Sequence, residues 1–435
     1  MSILKIIPAF VVVVFFLLMF FSKINKNKLY ISFVIISYPF LNLPLFTYLQ
    51  VFTTISLSYY LLFYKKENNI FFANKLYLYL FLILIIIIPF GLYFTELGPS
   101  MIGFRDFIAI FPFFIFTKIL INELIKDENY FFELIDLMKI ILIISFLFLI
   151  IQLIFGVQFS LSKQLNPNII LQNGVRYPSF FGDPQDYSMF LAVLSFICLI
   201  KKDVNNKLPF INYLFIILCV LGILSSGGRA GLIGFLIGIA LIIIFGKSIS
   251  AKISIIVLGV GLYFVLMNFQ SSFAIFNRGT DLDDAYKFRH EIWSQAYQMF
   301  LDQPIFGIGI GNYQRHVVLY NPDQYWPTGD DIIPFDCPEN GYLKLLSELG
   351  GPAFLIIFIF LLLPILRGVY LFFLKKDFIL IYLFSAFVVW AIGFNSNYSF
   401  GDSRIEILVG IIIAMQISRQ HYITNDNISE VTISN

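Results

Sequence analysis

Seven of the nine arginines and one glutamate stand out as residues that could do chemistry in this 435-residue chain. A planar guanidinium can hold two oxygens of a phosphate or carboxylate at once, so a group of arginines favours a polyanionic ligand. Glu339, which polar Asn340 follows, could take a proton from a hydroxyl group as a general base. Arg289 and Trp293 are one helical turn apart, and an aromatic ring beside an arginine suits a sugar face or a guanidinium plane. This set indicates proton transfer beside a bound diphosphate or another polyanion.

Each of these residues also has a purely structural interpretation. The arginines could pair with nearby acids, for example Asp106, Asp183 and Asp402. Pro338 suits the first position of a helix, which would put Glu339 at a helix N-terminus, where the macrodipole favours a negative charge. The apolar spacing that begins at Tyr342 predicts that this helix continues to a stop at Gly350-Gly351-Pro352.

Metal and cofactor sites are not expected from the sequence. Its three histidines and three cysteines lack the spacing of metal ligands. Residues 307–312 (GIGIGN) look like a phosphate cradle but lack the lysine and the serine or threonine that follow in a P-loop. Their glycines instead predict a tight turn or a close approach of the backbone to another element.

The elements that must position these residues are membrane-spanning helices. The chain is 59% hydrophobic and only 13% charged, whereas soluble domains carry about 25% charged residues. This composition excludes a cytosolic enzyme, a secreted domain and a disordered protein. The apolar runs are continuous and close to the 20 residues that a helix needs to cross a bilayer, which argues against a β-barrel. We predict an all-α polytopic membrane protein with about 12–14 transmembrane helices.

Thirteen spans are favoured. A 36-residue apolar run is divided near Asn42-Leu43-Pro44, where a tight hairpin is expected. The predicted spans are 3–21, 29–45, 47–64, 76–95, 104–121, 138–156, 187–200, 209–224, 230–246, 252–270, 350–369, 377–395 and 405–418.

The basic residues divide between the two sides of this layout. Eighteen of the 29 lysines and arginines fall in alternate loops, which the positive-inside rule places in the cytoplasm. Seven of the nine arginines fall on the other side, where few lysines lie. Topology alone needs no such division, so it favours a polyanion held at the outer face. The seven outer arginines are Arg105, Arg176, Arg229, Arg278, Arg289, Arg315 and Arg404.

The predicted organisation has four parts. Residues 1–270 form a transmembrane bundle of about ten spans with an outer loop at 157–186. Residues 271–349 form a large, ordered extracytoplasmic loop with short helices. Three further spans occupy 350–418, and 419–435 form a short cytoplasmic tail that is expected to be disordered.

Four motifs, in this order and spacing, resemble the O-antigen ligase/polymerase family. Its members are bacterial integral-membrane glycosyltransferases that use polyprenyl-diphosphate sugars. The resemblance covers about residues 170–350, and a similar many-span layout surrounds it. The motifs are 176–184 (RYPSFFGDP), 225–231 (SSGGRAG), 289–312 with its Trp293 and its Pro304-Ile305-Phe306-Gly307, and 338–351 (PENGYLKLLSELGG).

The resemblance implies a GT-C-like helical fold and a metal-independent, inverting glycosyl transfer. Arg176, Arg289 and Arg229 would hold the diphosphate of the donor, and Glu339 would be the base. The further substrate-binding residues that we predict are Arg278, Asn340, Trp293 and Arg404. One departure matters, because the ligase branch of the family usually has His-Asn where this chain has Glu339-Asn340. This difference favours a repeat-unit polymerase over a ligase.

The expected function is therefore polymerisation of undecaprenyl-diphosphate-linked repeat units into surface polysaccharide at the outer face of a bacterial inner membrane. An O-antigen ligase or a protein O-glycosyltransferase is the alternative. A transporter of the same lipid is a third possibility, but transporters carry charges within their spans, and these spans are nearly free of charge. The expected partners are the lipid-linked donor and acceptor and the bilayer, with a flippase and a chain-length regulator as candidates. Nucleic acid is not expected.

Overall fold

A computed structural model describes most of the chain. The residues it describes are 6–46, 49–65, 75–161, 170–171, 174–201, 210–246, 282–320, 325–328, 331–334 and 337–433. The predicted span 252–270 and Arg278 lie outside these residues.

Helices dominate the described residues, as the composition predicts. The helices are α1 (Ile7–Phe21), α2 (Lys26–Ile36), α3 (Val51–Leu62), α4 (Lys75–Phe94), α5 (Met101–Lys126), α6 (Glu128–Phe155), α7 (Pro184–Ile197), α8 (Phe210–Ser226), α9 (Arg229–Phe245), α10 (Leu282–Asp302), α11 (Tyr313–Tyr320), α12 (Gly341–Lys375), α13 (Phe378–Phe394) and α14 (Ser403–Ile433).

Within the residues that the structure describes, three small antiparallel hairpins interrupt the helices. β1 (Pro44–Phe46) pairs with β2 (Leu49–Gln50), β3 (Ile170–Leu171) with β4 (Gly174–Val175), and β5 (Tyr325–Thr328) with β6 (Asp331–Pro334). The first hairpin lies in the 36-residue apolar run and confirms that the run is broken. The interruption is wider than predicted, because α2 already ends at Ile36, before Pro39 and Pro44, which cannot donate a backbone hydrogen bond.

The helices fit an all-α membrane protein. Within the described residues, α5, α6 and α12 are long and apolar enough to cross a membrane, and six shorter apolar helices accompany them. The count of thirteen spans and the GT-C-like fold stay predictions.

Two compact units make up the chain. The first unit comprises Met1–Glu123, Asp281–Pro364 and Phe394–Ile411. The second unit comprises Leu124–Thr280, Ile365–Gly393 and Ile412–Asn435. The predicted division at 270, 350 and 418 concerns membrane topology and stays a prediction.

α14 extends as far as Ile433, and the disorder of the C-terminal tail stays a prediction. One local expectation is wrong. The helix that follows Glu339 begins at Gly341 and not at Pro338, because the backbone at Glu339 is not helical. The predicted stop at 350–352 is confirmed as a sharp break, since Gly350 has a φ of 72° between two helical segments of α12.

Candidate functional site

Two side chains of α10 converge on the turn that precedes α12. The Arg289 Nη2 atom lies 3.3 Å from Glu339 Oε2. The Trp293 Nε1–H donates a 3.0 Å hydrogen bond to the carbonyl oxygen of Pro338. The structure therefore brings together three residues that the sequence analysis selected, and all three belong to the first unit.

The Arg289–Glu339 pair is accessible from solvent. The Arg289 side chain is 34% exposed and the Glu339 side chain is 27% exposed. Their single 3.3 Å contact resembles exposed ion pairs, which stabilise proteins by about 0–1 kcal/mol. A carboxylate in this position can meet a substrate hydroxyl, and the guanidinium beside it can meet an anion.

The backbone at Glu339 is in the left-handed region, with a φ of 47°. A non-glycine residue in this region costs of order 1–3 kcal/mol and persists only where the surroundings enforce it. Two neighbouring residues enforce this conformation at Glu339. Trp293 holds the carbonyl of Pro338, and the Asn340 side chain caps α12 by accepting hydrogen bonds from the backbone N–H groups of Tyr342 (3.0 Å) and Leu343 (3.1 Å).

Asn340 thus has a defined structural role beside its predicted role in substrate binding. Its amide Nδ2 also donates a 3.1 Å hydrogen bond to Asn395 Oδ1, which follows α13. An asparagine N-cap satisfies backbone donors that a helix start leaves open. The substrate-binding role of Asn340 stays a prediction.

A small apolar core holds α10 in place. Ile292, Ala296 and Met299 are at most 1% exposed and lie along one face of the helix. Ala296 and Met299 pack with residues of the following turn and of α11, namely Ile308, Tyr313 and Val317. Arg289 is three residues before Ile292, so packing of this face directs it towards the turn at Glu339.

The glycine turn between α10 and α11 fits against the first segment of α12. The Ile308 N–H donates to the carbonyl of Ser347 (2.9 Å), and the Gly351 N–H donates to the carbonyl of Pro304 (2.8 Å). Gly307, Gly309 and Gly311 have φ values of 65°, 86° and 71°. These bonds and angles confirm the interpretation of residues 307–312 as a tight turn with close backbone approach.

We expect Gly307→Ala to destabilise this region strongly. A β-carbon at Gly307 would lie 2.4 Å from the carbonyl carbon of Glu348, and φ is unfavourable for alanine there. Gly98 is the matched control, since its φ is 70° but nothing lies within 4 Å of the added carbon. Thermal unfolding in detergent should show a larger loss for Gly307→Ala than for Gly98→Ala, whose φ penalty is about 1 kcal/mol. Equal losses of stability in the two variants would show that the close approach of Gly307 to the backbone of Glu348 does not contribute to stability.

A buried ion pair lies one to two turns further along α12. Lys344 Nζ is 3.3 Å from Glu348 Oε1, and the two side chains are 9% and 1% exposed. The same Glu348 oxygen accepts a 3.0 Å hydrogen bond from the backbone N–H of Tyr313. The Lys344 ammonium also lies 4.9 Å from the ring centre of Tyr398. This cluster ties the start of α12 to α11 and to the loop after α13.

Sequence reasoning selected neither this cluster nor Asn395. The four-residue spacing of Lys344 and Glu348 within a predicted helix is a signal that could have identified the pair. No comparable signal in the sequence connects Asn395 with Asn340, because the two are 55 positions apart.

Arg404 lies in the first unit and is almost fully buried. Its Nε donates a 2.7 Å hydrogen bond to Asp402 Oδ1, and its Nη2 contacts the other oxygen of the same carboxylate. Arg105 likewise contacts Asp106 at 2.7 Å. The structural alternative, in which arginines pair with nearby acids, is confirmed for these two. The substrate-binding role of Arg404 stays a prediction.

Arg176 and Arg229 belong to the second unit. Arg176 is fully buried, and its Nε donates a 3.0 Å hydrogen bond to the carbonyl of Ser226, at the end of α8. Arg229 is the first residue of α9, directly after the turn at Gly227 and Gly228. The two motifs that contain these arginines are therefore in contact within this unit. Their diphosphate-binding role stays a prediction.

The described residues hold no group of three or more His, Cys, Asp or Glu side chains that could bind a metal ion. The described contacts at Glu339 bring together one carboxylate, one guanidinium, an indole ring and a capped helix start. Such a set can accept a proton and hold an anion.

Comparison with known families agrees with the motifs. Residues 214–358 match the family model for O-antigen ligase. The resemblance to the O-antigen ligase/polymerase family is confirmed. The match covers about a third of the chain and contains Arg229, Arg289, Trp293, Glu339 and Asn340. No curated protein matches the chain.

The segment that matches this family runs from within α8 to the first half of α12. It contains both the Arg289–Glu339 pair and the Lys344–Glu348 pair. Arg176 and Arg404 lie outside it, so the match has no bearing on their roles.

Proposed function

We propose that the chain is a membrane glycosyltransferase that polymerises undecaprenyl-diphosphate-linked repeat units into surface polysaccharide. The observation that carries the proposal is the accessible Arg289–Glu339 pair, which lies inside the segment that matches the O-antigen ligase family. The pair combines a proton acceptor with an anion-binding group, and inverting transfer from a diphosphate donor needs both.

Glu339 is the proposed general base. Its carboxylate takes the proton of a hydroxyl group at the non-reducing end of the acceptor repeat unit. The hydroxyl oxygen attacks the anomeric carbon of the donor from the face opposite the diphosphate, so the configuration inverts. The bond from the anomeric carbon to the diphosphate oxygen breaks, and undecaprenyl diphosphate leaves with the electron pair.

Arg289 is the proposed group that stabilises the departing diphosphate. Positive charge that is already in place where negative charge develops lowers the barrier. The contact of Arg289 with Glu339 is worth at most about 1 kcal/mol, so the guanidinium can turn from the carboxylate to a diphosphate at little cost. Arg176 and Arg229, which belong to the second unit, are proposed as further diphosphate-binding residues, and Trp293 is proposed to lie against a sugar ring.

We expect Arg289→Lys to lose most of the polymer at normal protein level. An ammonium group is a point charge and cannot present two parallel N–H donors to a diphosphate. Arg367→Lys is the matched control, because Arg367 is exposed on α12 and has no proposed role. Polymer is measured by gel analysis of surface polysaccharide. Full activity of Arg289→Lys would show that only bulk positive charge is needed.

The alternative function is transfer to a different acceptor, as in an O-antigen ligase, and the family match favours this alternative by its description. Deletion of the gene separates the two. Loss of a polymerase leaves a single repeat unit on the lipid that anchors the surface polysaccharide. Loss of a ligase leaves no glycan on that surface anchor. The second pattern would overturn the polymerase proposal. We place the protein in a bacterial inner membrane with the site on the outer face.

A further inference from the structure

We propose that α10 and α11 lie in the membrane interface, with an exposed apolar stripe inserted among the lipids. The stripe consists of five side chains that are between 43% and 59% exposed: Tyr297, Leu301, Ile305, Val318 and Leu319. Single exposed apolar residues are ordinary, but several of them on two helices that pack together favour a contact surface.

The geometry of α10 separates three kinds of surface. Ile292, Ala296 and Met299 are buried in the apolar core. Tyr297 and Leu301 are one turn apart on the opposite face, and Ile305 follows just beyond the helix. Polar and charged side chains, including Glu291 and Gln298, lie beside this face, and the exposed residues His290 and Ser294 precede Tyr297 and Leu301 along it. A helix with this distribution lies along an interface with its apolar side immersed.

The stripe continues the surface of a helix that already has the composition of a membrane segment. The Phe306 ring stacks on Phe90 and Phe94 of α4, with ring centres 6.2 Å and 6.1 Å apart. Phe90 and Phe94 are 47% and 58% exposed, as expected for side chains that face lipid. Ile305 directly precedes Phe306 in the chain, so the end of α10 leads into a residue that packs on this lipid-facing surface. This junction with a helix that faces lipid is our reason for taking lipid as the occupant.

Polar contacts hold α11 beside the C-terminal end of α4. The two terminal nitrogens of Arg315 donate to the carbonyl oxygens of Leu97 (2.7 Å) and Gly98 (3.0 Å), which follow α4. The Thr95 hydroxyl lies 3.2 Å from His316 Nε2. α11 is therefore fastened to the end of an apolar helix, which is where a transmembrane helix meets the headgroups.

This placement has a consequence that rests on the proposed function. Arg289 is two helical turns from Tyr297 on the same helix, so an interfacial α10 keeps the Arg289–Glu339 pair near the headgroup level. The diphosphate of a lipid-linked glycan lies at that level because its polyprenyl chain is in the bilayer. The apolar stripe would thus set the depth of the site.

Depth measurements on the full chain in phosphatidylethanolamine/phosphatidylglycerol vesicles test the proposal. The three native cysteines, Cys198, Cys219 and Cys337, are first replaced. Leu301→Cys and Leu319→Cys then each introduce a single cysteine, in separate variants, for labelling with an environment-sensitive fluorophore. Gln298→Cys, on the polar side of α10, is the control. We expect the fluorophore at positions 301 and 319 to show blue-shifted emission that nitroxide-labelled lipid quenches strongly and a soluble quencher quenches little. At position 298 we expect no blue shift and stronger quenching by the soluble agent.

Two results would overturn the proposal. Quenching of positions 301 and 319 by the soluble agent would show that the stripe faces water. Protection of both positions from both quenchers would show that a protein surface, such as a second copy of the chain, covers the stripe instead of lipid. Neither measurement depends on activity, so this inference can fail while the polymerase proposal holds, and the reverse is equally possible.

Discussion

Glu339→Gln is expected to abolish polymer while the protein stays folded. Glutamine keeps the size of the side chain but cannot accept a proton, and loss of a general base lowers rates by roughly 10²- to 10⁴-fold. If Glu339 only paired with Arg289, the change would cost at most about 1 kcal/mol of stability and leave activity nearly intact. The two roles differ by orders of magnitude, and gel analysis of surface polysaccharide at matched protein level distinguishes them.

The matched control for this variant is Glu291→Gln. Glu291 is an exposed glutamate on α10, close in sequence to Arg289, and has no proposed role in the reaction. It should give normal polymer. Glu339→His adds a second comparison, because the related ligases usually carry histidine at this position, and partial activity would support a shared role as base. Near-normal polymer from Glu339→Gln would leave Glu339 a structural residue.

Lys344→Met is expected to destabilise the first unit by about 3–5 kcal/mol. It leaves the carboxylate of Glu348 buried without its ammonium partner, and an uncompensated buried charge is costly. The double variant Lys344→Met/Glu348→Gln should recover part of the loss, because no unpaired charge remains and an amide oxygen can still accept from Tyr313. Thermal unfolding of the purified protein in detergent measures both effects.

The Lys139–Asp136 pair on α6 provides the control for Lys344→Met. Asp136 is 73% exposed, so this pair contributes little. Lys139→Met should change the stability by less than about 1 kcal/mol. If Lys344→Met left the stability unchanged, the burial of the Lys344–Glu348 pair would not determine its contribution to stability. Because the pair holds the start of α12, we also expect Lys344→Met to lower polymer formation through the position of Glu339.

Much of the candidate site could be predicted from residue type and local spacing. Arg289 and Trp293 are recognisable because they share a helical face, and Glu339 because a lone carboxylate lies beside a polar residue in a loop that is predicted to be extracytoplasmic. Their convergence at 3.3 Å and 3.0 Å was not predictable, since it depends on how α10 packs against the turn before α12. Glu339 also has a positive φ, which no local pattern signals for a glutamate.

Other details of the site are visible only in the folded chain. Arg404 is a predicted substrate-binding residue, and its guanidinium holds Asp402, two residues away. Asn340 is also a predicted binding residue, and in the structure it caps α12 and bonds to Asn395. The glycines of 307–312 predict a tight turn, but the sequence does not indicate that their close approach is to the backbone of Glu348.

The amino-acid sequence is sufficient to identify the class of protein, because apolar runs of about 20 residues and the lysine-rich segments between them are local properties that follow from the cost of placing charge in lipid. The chemistry at Glu339 and the side of the membrane on which the arginines lie stay predictions. The folded chain is needed to show that Arg289 meets Glu339, that Asn340 bonds to Asn395 and that Lys344 is buried. These contacts depend on how α10, the glycine turn and the start of α12 pack, and they join residues that are far apart in the sequence.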